Sequence, residues 1–396
     1  MQQMMLGVGG VSYYDAELYT WGLNDFGQAG NNTSGNNYSS PVQVPGTLWA
    51  AVGSSENSYH VVVTQQDGTL WQWGRNENGR LGQNNTTHYS SPVQVPGTWA
   101  VGYNKCIANH RSTHAIRKDG TLWGWGGGGQ GILGVNDTTS YSSPKQIPGN
   151  TWAHITSTGS AQTLAVKTDG TLWSWGTKEN GALGNNNMDA DRSSPIQVGD
   201  ATNWSGHIAG GRQHFAAIKT DGTLWTWGGA YGGALGLNES WGPSKRSRSS
   251  PTQVPGTNWS RVAAGYSITL ATKTDGTLWS WGRNEDGANT LGQNDWNNNV
   301  SSPKQIGGET TWNYDGGDNA ADNSYPVFCS MNNSGAIRSG GTLWIWGRNR
   351  YGENAQNNNF PGYYAGYSSP VQIPGTGWYA IMGGETNHLA LKDVTS

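Results

Sequence analysis

Charge is scarce in this chain: 12% of its 396 residues are Asp, Glu, Lys or Arg, and the net charge is −3. That excludes the broad basic field on which nonspecific nucleic-acid binding and adhesion to anionic membranes depend. No Lys or Arg precedes Arg75, so there is no basic N-terminal tail. Cysteine is nearly missing too. Cys106 and Cys329 lie in distant parts of the chain, make no disulfide framework or zinc spacing, and read as small buried hydrophobes. No stretch approaches the ~20 apolar residues of a membrane span. The opening MQQMMLGVGGVSYYD has neither the basic region nor the apolar run of a secretory signal. The expectation is a soluble chain without signal peptide or membrane insertion, its location otherwise open. Helical periodicity is missing from every window, as are G-x-S-x-G, H-E-x-x-H and Walker signatures. A non-enzymatic protein without a cofactor is expected.

What is present is repetition. Trp-Gly pairs begin at Trp21, Trp73, Trp125, Trp175, Trp227, Trp281 and Trp346, with steps of 52, 52, 50, 52, 54 and 65 residues. Five are preceded by DGTLW, and each is followed by an Asn/Gly-rich loop and SSP, as in Ser193–Pro195. One supersecondary unit is thus written seven times. A chain this long ordinarily splits into several domains, since single cores stop growing at roughly 250–300 residues. A ring of repeats grows by adding units, so residues 1–396 read as a single domain.

Within a unit, short β runs flank tight turns. Leu164–Lys167, Asp169-Gly170 and Thr171–Trp175 form a hairpin signal, because Asp and Gly tolerate positive φ. Alternation places Leu172 and Ser174 on one face and Thr171, Trp173 and Trp175 on the other. Four short strands per ~52 residues make a propeller blade, a solution that leaves only short, protected edges. The final repeat stops at His388–Asp393, before any TLWxWG, and Glu17–Gly22 supplies the missing phrase. The fold class is therefore all-β, a seven-bladed β-propeller closed by a composite blade from both termini.

Twenty of the 22 Trp fall into three columns: the Trp-Gly set, the set two residues before it (Trp71, Trp123, Trp173, Trp225, Trp279, Trp344, with Tyr19 in the seventh place), and the set after the PGT-like turn (Trp49, Trp99, Trp152, Trp204, Trp259, Trp312, Trp378). Each burying ~150–250 Å², these indoles supply the cohesion that 61 Gly and few aliphatics do not. Trp241 and Trp296 lie outside the columns. The Asp of each DGT belongs to its turn, His60 and His214 share a repeat column, and the scattered His88, His110, His154 and His207 read as surface residues.

WGRNENGRLGQ (Trp73–Gln83) and WGTKENGALGN (Trp175–Asn185), with the DG turn before and the Pro after, resemble the signature of the regulator of chromosome condensation (RCC1) repeat family across about Glu17 to Asp393. The resemblance implies a seven-bladed propeller and a choice of roles: guanine-nucleotide exchange on a small GTPase, ultraviolet photoreception, β-lactamase inhibition, scaffolding. The photoreceptor's Trp-bearing GWRHT-type motif would fall at Gly210–His214 and Gly265–Thr269, which read GGRQH and GYSIT. Neither carries the indole. The missing basic tail weighs against chromatin-bound exchange.

Function is sought where the repeat is broken, at 229–248, 307–335 and 353–367. The first insertion sets Trp241 beside Lys245, Arg246 and Arg248, a contact patch for protein or acidic glycan, or a solvated charge run. The second carries Asp315, Asp318 and Asp322, oxygen ligands for Ca²⁺ in principle, but the spacing lacks an EF-hand's alternation and terminal Glu, so the loop reads first as plain acidic. The third clusters Phe360, Tyr363 and Tyr364 beyond the structural Tyr367, a recognition surface for protein or sugar. With Trp296 these are the partner-binding candidates. The leading expectation is a binding or structural propeller on a phage or virus particle (tail, fibre or capsid decoration) whose partners are neighbouring virion proteins or a host surface molecule, not nucleic acid. The alternatives are a bacterial inhibitor or scaffold propeller and an exchange factor.

Overall fold

The computed structural model describes residues 16–55, 58–239, 247–284, 289–295, 298–312, 325–358, 366–384 and 386–394. They form seven four-stranded antiparallel sheets. Blade 3 shows how the repeat folds. Trp152–Ser157 lines the centre, Gln162–Lys167 and Leu172–Gly176 follow, and Arg192–Gln197 is the outermost strand. At its hairpin the Thr171 N–H and hydroxyl both donate to Asp169 Oδ1, at 3.0 and 2.6 Å, and Trp173 Nε1 donates to Thr171 Oγ1 at 2.9 Å. The same chain of bonds recurs at Asp67, Asp119, Asp221 and Asp275. The recurrent aspartates are turn caps. Their Thr donors hold Asp119, Asp169, Asp221 and Asp275 below the usual carboxylate range.

Two other phrases clasp one blade to the next. Asn186, in the left-handed region at φ 56°, donates its N–H to the Ser249 carbonyl of the following blade at 2.7 Å. Six equivalent bonds, from Asn32→Ser90 to Asn357→Ser39, complete the circle. Gly181, at φ 73°, lies where an added Cβ would stand 2.7 Å from Ser249 Cα, so the glycine is what lets the blades meet. The SSP and Asn/Gly phrases are thus contact chemistry between blades.

Alternation holds in the Leu172–Gly176 strand. Leu172 packs toward blade 4 with Trp204 and Trp227, whereas Trp173 and Trp175 pack on the opposite side with Trp152. The Trp-Gly indoles are buried in every blade. Six of them donate Nε1 to a backbone carbonyl of the preceding blade, for example Trp227 to Ala182 at 2.9 Å and Trp175 to Ile132 at 2.8 Å. The seventh, Trp125, donates to Gln72 Oε1 at 3.1 Å. The set after the turn is buried as well. The middle set is only half-buried and stands near the rim. A cation covers it: Lys167 Nζ lies 4.8 and 4.2 Å from the Trp152 and Trp173 ring centroids, and Lys219, Lys273, Arg117 and Arg338 repeat the arrangement.

The ring closes as the sequence implies. One sheet joins Tyr38–Gln43 and Ala16–Gly22 to Asn387–Asp393 and Trp378–Gly383, in that order. Ala16 through Gly22 pair in unbroken register with Asp393 through Asn387. The innermost strands touch their neighbours all the way round.

One seam of this blade carries a buried acid. Trp21 Nε1 donates to the Glu353 carbonyl at 2.7 Å, and the Glu353 carboxylate, fully buried, accepts from Tyr351 N–H at 2.6 Å. At the next seam Gln28 holds the same position: its carbonyl accepts from Trp73 at 2.8 Å and its Oε1 from Phe26 N–H at 2.8 Å. Burial lifts the Glu353 pKa from 4.5 to about 7, against the backbone donors and Arg348 and Arg350. Because the folded state binds the proton more tightly, stability falls as pH rises from about 4.5 through 7, by roughly 3 kcal/mol at most. Glu353→Gln, which copies Gln28, is expected to match the parent near pH 4.5 and to exceed it at pH 8. Denaturant midpoints across that range check it, and parallel pH profiles for the two proteins would refute it.

Candidate functional site

Innermost strands run toward one end of the disc, and third strands, two hairpins later, finish at the same end. The loops that follow both therefore share a face, as the Arg75→Tyr59, Gly229→Gln213 and Arg348→Asn332 backbone bonds confirm. The DGT and PGT-like turns form the other face, where Trp99, Trp152, Trp204 and Trp259 each donate N–H to the Gly of a DGT turn.

On the loop face the described basic residues are arginines, Lys178 excepted. Several stack on aromatics: Arg75 4.8 Å from Phe26 and 5.3 Å from Tyr59, Arg212 4.4 Å from Tyr266, Arg283 5.4 Å from Tyr231, Arg350 5.1 Å from Tyr351. A stacked guanidinium is preorganised and leaves its in-plane N–H edge for carboxylates, as Arg75 does for Glu77. The densest group lies at the seam of blades 1 and 2. Arg80, where blades 3 and 4 have Ala182 and Ala234, is buried, donates Nε to the Glu77 carbonyl at 2.9 Å and Nη1 to the His110 carbonyl, and has its pKa pushed down to about 10 by burial. Arg75 grips the exposed Glu77 carboxylate at 2.7 Å through both oxygens and holds its pKa low. Burial and then Arg80, Arg111 and Arg75 press His110 down to about 4, which keeps that imidazole neutral. With exposed Arg111 alongside, the seam is locally electropositive in a chain that is not.

The central channel is plugged. Blade 2 departs from the repeat: its innermost strand, Cys106–Ala108, is cut to three residues, and the preceding Tyr103 and Asn104 cross the axis. Asn104 Nδ2 donates to the Gly206 and Ile208 carbonyls at 3.1 and 3.0 Å, and its N–H donates to Tyr325 Oη at 2.5 Å. The Tyr103 and Tyr325 rings lie 4.5 Å apart. Lys105 Nζ reaches the Ala153 carbonyl at 2.7 Å, Arg261 meets His207 Nε2 at 3.2 Å, and His154 Nδ1 meets the Tyr103 carbonyl at 3.2 Å. Burial, then Arg261 and His154, drives His207 down to about 3. His154 and His207, expected at the surface, are only partly exposed and border this plug; Gly206, with no Cβ, leaves room for the His154 ring. Beside the plug, near the loop end of the innermost strands, remains a cavity of about 50 Å³, room for a water or two and far short of the roughly 300–1,000 Å³ of ligand sites.

Of the singled-out candidates, Trp296 and, in the insertions, Trp241, Lys245, Arg246, Asp315, Asp318, Asp322, Phe360, Tyr363 and Tyr364 lie outside the described residues. Arg248 is described. It opens the outermost strand of blade 4 on the loop face and pairs with Glu239, so its charge is already partnered. Among the described residues no group of three or more His, Cys, Asp or Glu is arranged to hold a metal, and no helix is long and apolar enough to cross a membrane. Cys106 and Cys329 are free thiols, buried, with pKa values raised to about 12 by that burial.

Seven blades clasped by repeated backbone bonds, with arginine–aromatic pairs on one face, define a seven-bladed β-propeller. The family profile of the RCC1-like domain matches residues 11–321, and the chain belongs to that family. It is 28% identical over 364 residues to the mitochondrial RCC1 domain-containing protein RUG3 of Arabidopsis thaliana, covering 84% of this chain and 77% of that protein. To the ultraviolet-B receptor UVR8 of the same plant it is 28% identical over 284 residues, 70% of this chain and 63% of the receptor. Among solved structures, Prp20p of Saccharomyces cerevisiae, studied with its binding to Gsp1p and histones, superposes with a TM-score of 0.76 at 17% identity, covering 99% of this chain and 96% of that one. Human WBSCR16 gives 0.77 at 16% identity, with 96% and 99% covered. These likenesses show the fold.

Proposed function

We propose that the chain is a non-catalytic platform that holds a protein partner on its loop face, at the seam carrying Phe26, Tyr59, Arg75 and Arg111. The carrying observation is the stacking of Arg75 over the touching rings of Phe26 and Tyr59, at the seam that also carries exposed Arg111. Arginine and aromatic side chains dominate interface hot spots, and an acidic partner segment suits exposed Arg111 and the Arg75 fork, whose present carboxylate partner, Glu77, is itself exposed and open to displacement. That the yeast structural neighbour was studied with protein partners supports a protein over a small ligand. Capture on the immobilised protein is expected to retain a stoichiometric acidic protein that Arg75→Glu/Arg111→Glu loses by at least tenfold. Capture unchanged by the substitutions, or undiminished at about 0.5 M salt, contradicts the reading.

In its finer form the platform is an externally exposed particle component, a tail, fibre or capsid decoration. Low charge and Asn/Gly/Ser-rich loops support it. Labelled antibody on purified particles tests it, and no labelling sinks it. Blade clasps that leave the loop face rigid equally suit an inhibitor or scaffold holding one soluble enzyme. Nucleotide exchange on a small GTPase ranks below both, because nothing at the arginine-rich seam singles out a GTPase over another protein partner.

A further inference from the structure

The rim between blades 3 and 4 is built differently from the rest. Most blade-to-blade turns read Val/Ile-Pro-Gly, as at Val44-Pro45-Gly46, Val95-Pro96-Gly97 and Val254-Pro255-Gly256. A Cβ on Gly46 or Gly97 would stand 3.2 or 3.1 Å from the next indole, so the turn packs against its own tryptophan. Between blades 3 and 4 the turn reads Val198-Gly199-Asp200-Ala201. The proline is gone, a carboxylate is added, and a Cβ on Gly199 would meet nothing within 4 Å. The other proline-free turn, at Gly307-Gly308, commits its acid Glu309 to Arg338 at 3.9 Å.

The space so opened is a groove of about 360 Å³, within the size of ligand sites. Half-buried Trp225 and buried Trp204 form its apolar wall, and Asn185, Gln197 and Asp200 its polar one. Trp225 is held rigidly. Its Nε1 donates to Thr223 at 2.9 Å, Lys219 Nζ lies 4.4 Å from its centroid, and Trp204 meets it edge-on at 6.2 Å. Gln197 projects from the outermost strand of blade 3 and Asp200 from the turn, both exposed.

We infer that this groove is a subsite for a neutral saccharide. A pyranose presents C–H faces that stack on an indole and hydroxyls that both donate and accept. Amides of Asn185 and Gln197 reciprocate both roles, and Asp200 accepts only. The Asp200 carboxylate and the Lys219 ammonium, 4.4 Å from the Trp225 centroid, leave the groove without a net charge, which suits an uncharged ligand better than a phosphate or sulfate. The preorganised indole limits the ordering cost that a small, weakly held ligand must overcome. The Trp–Gln pairing is scaffold in six blades, since Trp173↔Gln197 and Trp225↔Gln253 repeat as Trp71↔Gln94 and Trp344↔Gln372, with Tyr19↔Gln43 in the composite blade. The specific element is the altered turn. The inference does not rest on the loop-face platform, because the groove lies on the rim.

Saturation-transfer NMR with the full chain, using glucose, galactose, mannose, N-acetylglucosamine, maltose, lactose and a proline-rich decapeptide as separate probes, tests it. Transfer to the ring protons of at least one saccharide is expected, with Kd on the order of 1 mM. Affinity should drop at least tenfold in Asp200→Ala and in Gln197→Ala, with melting temperatures unchanged because both residues are exposed. No transfer to any saccharide, transfer undiminished in both variants, or binding of the peptide alone overturns the assignment.

Discussion

Trp227→Ala is expected to lower the unfolding free energy by about 3–5 kcal/mol, a large share of the 5–15 kcal/mol typical of a folded domain. The indole is fully buried, packed on Phe215 with centroids 5.7 Å apart and on Ala182, Trp204 and Ala217 from both sides of the seam. The cavity cannot be filled by a shift of the neighbouring turn without breaking the Asn186→Ser249 clasp beside it. A second cost is polar. With no Nε1–H, the Ala182 carbonyl loses a 2.9 Å partner in a buried place. Trp227→Phe separates the two, keeping most of the volume while forfeiting the bond, and is expected to cost about 1–3 kcal/mol. Trp279→Ala is the internal control. That ring is only half-buried, and its Nε1 bond goes to the Thr277 hydroxyl of its own turn and not to a neighbouring blade, so a smaller loss is expected. Urea denaturation of the three variants checks the ranking. A loss for Trp227→Ala no greater than for Trp279→Ala would show that the Trp-Gly column does not bind the blades.

Why the column was readable in the sequence follows from the same contacts. Each clasp joins a residue in one unit to a residue in the next, so the chemistry must recur every ~52 residues: Asn with positive φ, Ser before Pro, indole against carbonyl. Whatever repeats with the blade is visible as period. Alternation told which face Trp173 takes but not how far along the strand burial extends, and the middle column proved half-exposed because it lies at the DGT-turn end of the third strand, two residues from the buried Trp-Gly column. The plug left no such trace. Asn104 meets Tyr325 across 221 residues, a contact made once, and His154 and His207 come to border it through local departures that look like noise in a repeat. The arginine-rich seam was equally silent, because its members come from the loops of blades 7, 1 and 2 and assemble only when the ring is closed. Arg248 was picked out by its charged neighbours in sequence, yet in space its partner is Glu239.

Closure itself gives the largest expected effect. Ending the chain after Thr386 removes the Asn387–Asp393 strand, whose His388, Leu389, Ala390 and Leu391 are all fully buried. Leu389 and Leu391 alone contribute roughly 1.5–3 kcal/mol each, and their loss uncovers Leu18, Ala380 and Ile381 and unpairs both neighbouring strands. The sum meets or exceeds the stability of most domains. The expected product has no cooperative thermal transition and binds a hydrophobic dye, although only a terminal strand is missing. Circular permutation distinguishes ring closure from simple loss of buried area. In blade 3, Lys167 and Leu172 are joined by Thr-Asp-Gly-Thr, and the equivalent Lys392 and Leu18 lie at the open end of the composite blade. Linking Lys392 to Leu18 through the same four residues, with new ends between Asn187 and exposed Met188, makes blade 7 continuous and interrupts a loop instead. That permutant is expected to melt at or above the temperature of the parent. A truncated chain melting within a few degrees of the parent, or a permutant that does not fold, would mean that the paired termini do not hold the ring shut.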